Sequence, residues 1–147
     1  MKKFICILGL GTLLLIMAAC TSGTSQSGSS SDLAGTSWTA TGYDDGSQTV
    51  TDVLAGSTLT ANFGEDGTMS GNSGCNDYSG PYKITSNQIG IGPVSTTRKA
   101  CSDPAGVMEQ EAQYLAALEN AEVFVVNGDV LELREVDGTV MAQFTKK

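Results

Sequence analysis

VFVVNGDVLELREVDGTVMAQFT, residues 123–145, is the stretch whose reading decides the fold. Three short runs rich in β-branched and aromatic residues are separated by Asn127-Gly128 and Asp137-Gly138, both strong two-residue hairpin signals. The first turn is expected to set Phe124 opposite Leu131 and the second to set Leu131 opposite Phe144. That makes a row of three apolar side chains across three antiparallel strands, and the two-residue period adds Leu133 and Ala142 to the same face. Ser86-Asn87 reads in the same way, pairing Ile84 with Ile89 and Tyr82 with Ile91. Further runs at 37–43, 58–63, 68–71, 82–85 and 88–92 extend the pattern, with Gly-rich turns between them. The expected core is therefore compact, turn-rich and mostly β.

One segment breaks the pattern. Residues 104–120 read as a helix: Asp103 can cap it, Pro104 suits its first position, and Glu109 complements the dipole. The segment has no Lys or Arg, so packing must hold it. At 100° per residue Val107, Met108, Leu115 and Leu118 share one stripe, with Ala116 and Ala117 facing away. Glu111 falls inside that stripe. A carboxylate there either finds a partner or has its charge disfavoured by desolvation. Three readings stay open for it: a structural Glu bonded to strand backbone, a hydroxyl or Arg98; a ligand-binding or proton-exchanging group; and simple exposure at the stripe's edge.

The chain carries 8 Lys or Arg against 16 Asp or Glu, a formal charge of −8, within 147 residues, enough for one domain. There is no histidine, which excludes Ser-His and Cys-His pairs and any His metal site within this sequence. A serine nucleophile would need a lysine three positions on, but Ser95 is followed there by Arg98. The acidic pairs Asp44-Asp45 and Glu65-Asp66 fall in turns, and no Gly-Lys-Ser/Thr phosphate loop occurs. The expectation is a protein that is not an enzyme and has no cofactor and no metal centre.

The address is written at the start. Lys2 and Lys3 precede an apolar run, residues 4–19, shorter than the roughly 20 residues a membrane span needs and shaped as a secretory signal. Met17-Ala18-Ala19-Cys20 resembles a bacterial lipobox. That resemblance implies removal of residues 1–19 and acylation of Cys20, enough for stable anchoring. Residues 20–31 supply the lipidated Cys and a Ser/Gly/Thr tether of flexible composition, and the folded domain is expected over 32–147. Loss of Lys2 and Lys3 leaves 6 basic against 16 acidic residues, or −10. Such a charge disfavours nucleic acid and anionic lipid head groups and suits a basic partner. The two cysteines left in the domain, Cys75 and Cys101, read as a disulfide, since the pair lies outside the cytoplasm and has neither a C-x-x-C spacing nor a third thiol. Closing that loop is expected to stabilise the fold by roughly 3.5 kcal/mol.

Leu33-Ala34-Gly35-Thr36-Ser37-Trp38 opens the domain. The string Gly71-Asn72-Ser73-Gly74-Cys75-Asn76-Asp77-Tyr78-Ser79-Gly80-Pro81-Tyr82 lies at its centre, and Thr97-Arg98-Lys99-Ala100-Cys101, Glu111 with Tyr114-Leu115, and Leu131-Glu132-Leu133 follow. Together these resemble the META domain, the family of the heat-shock lipoprotein HslJ, over residues 33–145. The family motif falls on Trp38, Gly74, Asn76, Tyr78, Gly80 and Tyr82. The resemblance implies a small, incompletely closed antiparallel β-barrel with one packed helix, an envelope location and a link to stress tolerance, with no settled molecular activity. The motif itself reads as a fold element, with an exposed recognition loop as the rival.

The functional expectation is a non-catalytic, lipid-anchored envelope protein, monomeric, acting through its surface in envelope integrity or stress tolerance. Thr21, in place of the Asp that retains lipoproteins at an inner membrane, directs it to the outer membrane facing the periplasm in a two-membrane cell. Two alternatives are a carrier of a small apolar ligand between helix and sheet, and an inhibitor of a basic envelope-degrading enzyme such as a lysozyme.

Overall fold

The computed structural model describes residues 33–147. The expected signal segment 1–19, the expected lipidation site Cys20, the expected tether to residue 31, and Asp32 lie outside the described residues. Among the described residues ten strands and one helix follow in the order β1 (Thr36–Asp44), β2 (Val50–Asp52), β3 (Thr60–Phe63), β4 (Thr68–Asn72), β5 (Asp77–Thr85), β6 (Gln88–Ile91), β7 (Ser95–Thr96), α1 (Val107–Glu119), β8 (Val123–Asn127), β9 (Val130–Arg134) and β10 (Val140–Lys146). Eight of the strands form a ring, β10-β9-β8-β6-β5-β4-β3-β1, closed by antiparallel pairing of β1 with β10. Beside the ring, β2 pairs with the second half of β1 and β7 with the first residues of β5. The ring is thinnest between β6 and β8, joined at the single register pair Gln88↔Val123.

The hairpins that set this ring follow local chemistry. Leu131 lies opposite Phe144 and Leu133 opposite Ala142, and Ile84 and Tyr82 face Ile89 and Ile91, as expected, although between β9 and β10 a register shift between Val140 and Ala142 intervenes, with Arg134 paired to Val140. The β8–β9 hairpin differs. Phe124 lies opposite Leu133 and Val126 opposite Leu131, because the turn is made by Gly128 and Asp129, with Gly128 at φ 60° in its first central position. The two-residue slip keeps Phe124 on the core face, which is why the hydrophobic pattern alone could not detect it. Two short strands, β2 and β7, carry no apolar alternation, and β5 begins five residues before the run that marks it in the sequence.

The interior is filled. Trp38, Phe124, Leu131, Leu133 and Phe144 are fully buried and Phe63 is 1% exposed. Packed against β1, β6 and β10, α1 brings Tyr114 among Tyr43, Tyr78 and Phe144, with ring centroids 6.1 to 6.5 Å apart in edge-to-face geometry.

The helix departs from its expected limits and face. Asp103 and Pro104 lie in the turn ahead of it, and Gly106, at φ 89°, is the N-cap, with no side-chain capping bond. The buried face is Val107, Gln110, Glu111, Tyr114, Ala117 and Leu118. Met108 is 39% exposed and Ala117 is inside, the reverse of the hydrophobic stripe. The helix turns its polar Gln110 and Glu111 inward because partners wait for them there.

Leu133→Ala should cost about 3 kcal/mol of unfolding free energy, since it leaves a cavity where Phe124 and Ala142 meet. Val136→Ala, at a residue 70% exposed, should change stability by no more than about 0.5 kcal/mol. Urea titration of both variants checks the pair.

Candidate functional site

Between β4 and β5 the chain must turn without an ordinary hairpin, and the family string supplies the means. At Gly74 φ is 102°, and a Cβ there would come within 2.8 Å of Gln110 Nε2 and 3.1 Å of Val107 Cγ2, so both conformation and space require glycine. Gly71 is held by contact alone: its Cβ would lie 1.9 Å from the Thr60 carbonyl. The turn is fastened by side chains. Gly74 N–H donates to Asn72 Oδ1 (2.9 Å), and the Asn72 amide donates to Asp77 Oδ1 (2.9 Å).

Glu111 reaches this turn from the helix and is 8% exposed. Its Oε2 accepts from the Ser73 hydroxyl (2.7 Å) and from Asn76 N–H (2.9 Å), and its Oε1 from Asn76 Nδ2 (2.8 Å). The second Nδ2 hydrogen of Asn76 goes to the Lys99 carbonyl (3.1 Å), while Asn76 Oδ1 accepts from Lys99 N–H and the Thr97 hydroxyl, both at 2.8 Å. One buried asparagine thus ties β5, the helix and the 97–101 segment together. The Cys75–Cys101 disulfide joins the same segments covalently, with Cα atoms 5.9 Å apart. Of the partners expected for Glu111, backbone and a hydroxyl are present, while Arg98 makes no ion pair with it.

A second polar pair sits deeper. The Tyr78 hydroxyl donates to the Thr60 carbonyl (2.8 Å), and the Tyr114 hydroxyl lies 3.3 Å from both that carbonyl and the Tyr78 oxygen. Burial pushes both phenols well above the usual tyrosine range. Gln110, 1% exposed, accepts from Leu54 N–H (2.7 Å) and donates to Ser57 Oγ (2.8 Å).

Gly74, Cys75, Asn76, Tyr78, Cys101 and Glu111 are therefore gathered at one junction of helix and sheet. Trp38, Gly80 and Tyr82 stand elsewhere on the barrel wall. Trp38 donates its indole N–H to Thr36 Oγ1 (2.6 Å), and Tyr82 stacks edge-on against Phe63 and donates to the Gly64 carbonyl (2.7 Å). Sequence reasoning missed Ser73, Thr97 and Gln110. For Gln110 the signal was its 3-4-3 spacing with Val107, Tyr114 and Ala117.

Among the described residues every fully buried side-chain N and O has a hydrogen-bond partner, and no cluster of three or more acidic or thiol groups could hold a metal ion. The polar groups at the junction are turned on one another. Their chemistry is that of a fastening.

A small ring of antiparallel strands with one helix docked through a buried carboxylate defines the class. The META domain profile matches residues 31–147, and the chain belongs to the META domain family. Its fold is similar to that of a protein from Burkholderia xenovorans solved by NMR, 26% identical with a TM-score of 0.64, the match covering 80% of this chain and 85% of that one. It is also similar to a DUF4847-family protein from Bacteroides vulgatus in a crystal structure, 16% identical with a TM-score of 0.54, covering 77% and 93%. A search of curated proteins finds no match.

Glu111→Gln would turn one acceptor into a donor facing Asn76 donors and should cost about 2 to 3 kcal/mol in urea unfolding, whereas Glu109→Gln should be nearly silent. The phenols set a pH response. With folded pKa values raised above the ordinary 10.0, the unfolded chain loses these protons first. Stability should hold up to about pH 10 and fall above it, with a shallower fall in Tyr78→Phe. Unfolding titrations between pH 8 and 11.5 read the slope.

Proposed function

We propose that the chain is a non-catalytic, lipid-anchored cell-envelope protein whose META domain acts through its surface in envelope integrity or stress tolerance. The observation that carries this reading is the inward, mutually satisfied arrangement of the junction's polar groups. Glu111, Ser73 and Asn76 are spent on holding α1 to the sheet, so what remains to meet another molecule is an acidic exterior. The lipobox-like Met17-Ala18-Ala19-Cys20, the tether over 21–31 and the Cys75–Cys101 pair support a place outside the cytosol. Thr21 after Cys20 supports the outer membrane, facing the periplasm, in a cell with two membranes.

The filled interior supports a surface role over carriage of a small apolar ligand, because Tyr114 and Leu118 occupy the space between helix and sheet. The domain's charge keeps basic envelope proteins as the partner class, an envelope-degrading enzyme among them.

Metabolic labelling with an alkyne fatty acid, followed by crosslinking in intact cells, tests the reading. The wild-type chain should incorporate the label and be recovered from membranes crosslinked to envelope proteins, and Cys20→Ala should lose both label and membrane retention. Label in the Cys20→Ala variant, or a wild-type chain without it, would overturn the anchoring.

A further inference from the structure

On the far side of α1 from the junction lies an open groove of about 450 Å³ between the helix, the end of β1 with its following loop, and the β9–β10 turn. Its floor is small and apolar: Ala112, Ala116, Ala117 and Met141. Its rim is acidic, with Asp44 and Asp45 on one side and Glu135 on the other, and among the described residues no Lys or Arg lines it. The C-terminal end of α1 forms part of the wall and has no basic residue in its last turn, so the negative end of the helix dipole adds to the same field.

Asp44 lines the groove at its most buried acidic position. The residue is only 6% exposed, and its Oδ1 accepts both Gly46 N–H and Gln48 N–H at 3.0 Å. Its Oδ2 has no hydrogen-bond partner among the described residues. No fully buried side-chain oxygen among them lacks one, so Oδ2 keeps some contact with solvent, and Asp44 is one of the residues lining the groove. A nearly buried carboxylate with one unused oxygen, at the edge of an acidic concavity, is matched by a charged donor. The field reaches the wall as well: the Tyr43 phenol, 3.5 Å from Gln113 Oε1, is pushed up by burial and further by the charges of Asp45 and Glu109.

We propose that this groove docks a lysine or arginine side chain from a segment of a basic partner protein, its aliphatic stem lying on the alanine and methionine floor and its cationic head at Asp44 Oδ2. The stem requires an apolar bed and the head a carboxylate, and the groove offers both side by side. A metal ion fits poorly, since no three carboxylates here are gathered as ligands. This rests on the surface role proposed above and names where that role is exercised.

The test uses the full-length, isotope-labelled protein in detergent, titrated with a capped hexa-arginine peptide and followed by backbone amide shifts. Shifts should centre on Gln48, Ala112, Ala116 and Asn120, and high salt should weaken them. Asp45→Asn/Glu135→Gln should weaken binding about tenfold. Ala116→Arg, which places a guanidinium over the floor, should abolish it. Asp66→Asn/Asp103→Asn makes the same charge change away from the groove and should leave affinity within about twofold. Equal weakening in that control, absence of shifts at the groove, or equally tight binding of spermidine or Ca²⁺ at the same amides would overturn the inference. An acylated Cys20 with unchanged binding in the groove variants removes the docking site and leaves the envelope role standing. An unlabelled Cys20 removes the envelope role, and the titration still reads the groove.

Discussion

Glu111 carries a charge into the boundary between helix and sheet, and the carboxylate is held there by three neutral donors: one hydroxyl, one backbone N–H and one amide. Burying a carboxylate costs several kcal/mol unless its lone pairs are taken up, and hydrogen bonds to a charged acceptor are worth about twice neutral ones. The arrangement therefore works only if Ser73 and Asn76 are presented together from one side. That requirement sets the shape of the β4–β5 turn. It explains why Gly74 must adopt a conformation closed to other residues, and why Asn76 has both its amide hydrogens and its carbonyl engaged. The disulfide secures the segment to which Asn76 is bonded, so covalent and polar fastenings act on the same joint.

From this joint the rest of the architecture follows. With α1 fixed at its N-terminal half by Gln110 and Glu111, Tyr114 one turn on is delivered among Tyr43, Tyr78 and Phe144, and the barrel interior closes around it. The same placement leaves the opposite face of α1, with Ala112 and Ala116, beside the acidic end of β1. One face of the helix is spent on stability, and the proposed docking groove uses the other, the division expected of a site carried on a rigid scaffold.

Much of the β ring was legible in the sequence, and the reasons are local. Ser86-Asn87 fixes its register through turn geometry, and the observed pairs agree with it; beyond Asp137-Gly138, Leu133 and Leu131 meet Ala142 and Phe144 as expected, but Arg134 pairs with Val140 and an irregularity between Val140 and Ala142 restores the register. Asn127-Gly128 misleads by two residues because the turn uses Gly128 and Asp129, and an even slip leaves every side chain on its own face. The helix face was misread for a different reason. Hydrophobic periodicity assigns Met108 inward and Ala117 outward, yet partners 53 and 56 residues away in sequence order, invisible to any local rule, reward the polar Gln110 with burial. Glu111 stood out in the sequence as an anomaly on an apolar stripe, but its partners Ser73 and Asn76 could be known only once the fold brought residues 35 to 38 positions apart together.

Native-state hydrogen exchange at the Asn76 amide is the most direct test of the joint's role. Asn76 lies in a turn outside the strands, where an N–H bound to water would exchange quickly. If the Glu111 bond fastens helix to sheet, its opening free energy should equal that of the slowest barrel amides, such as Phe124, because it exchanges only when the whole domain unfolds. Exchange as fast as that of the β8–β9 turn at Gly128, with Phe124 still protected, would show that the joint opens on its own and that the barrel does not depend on it.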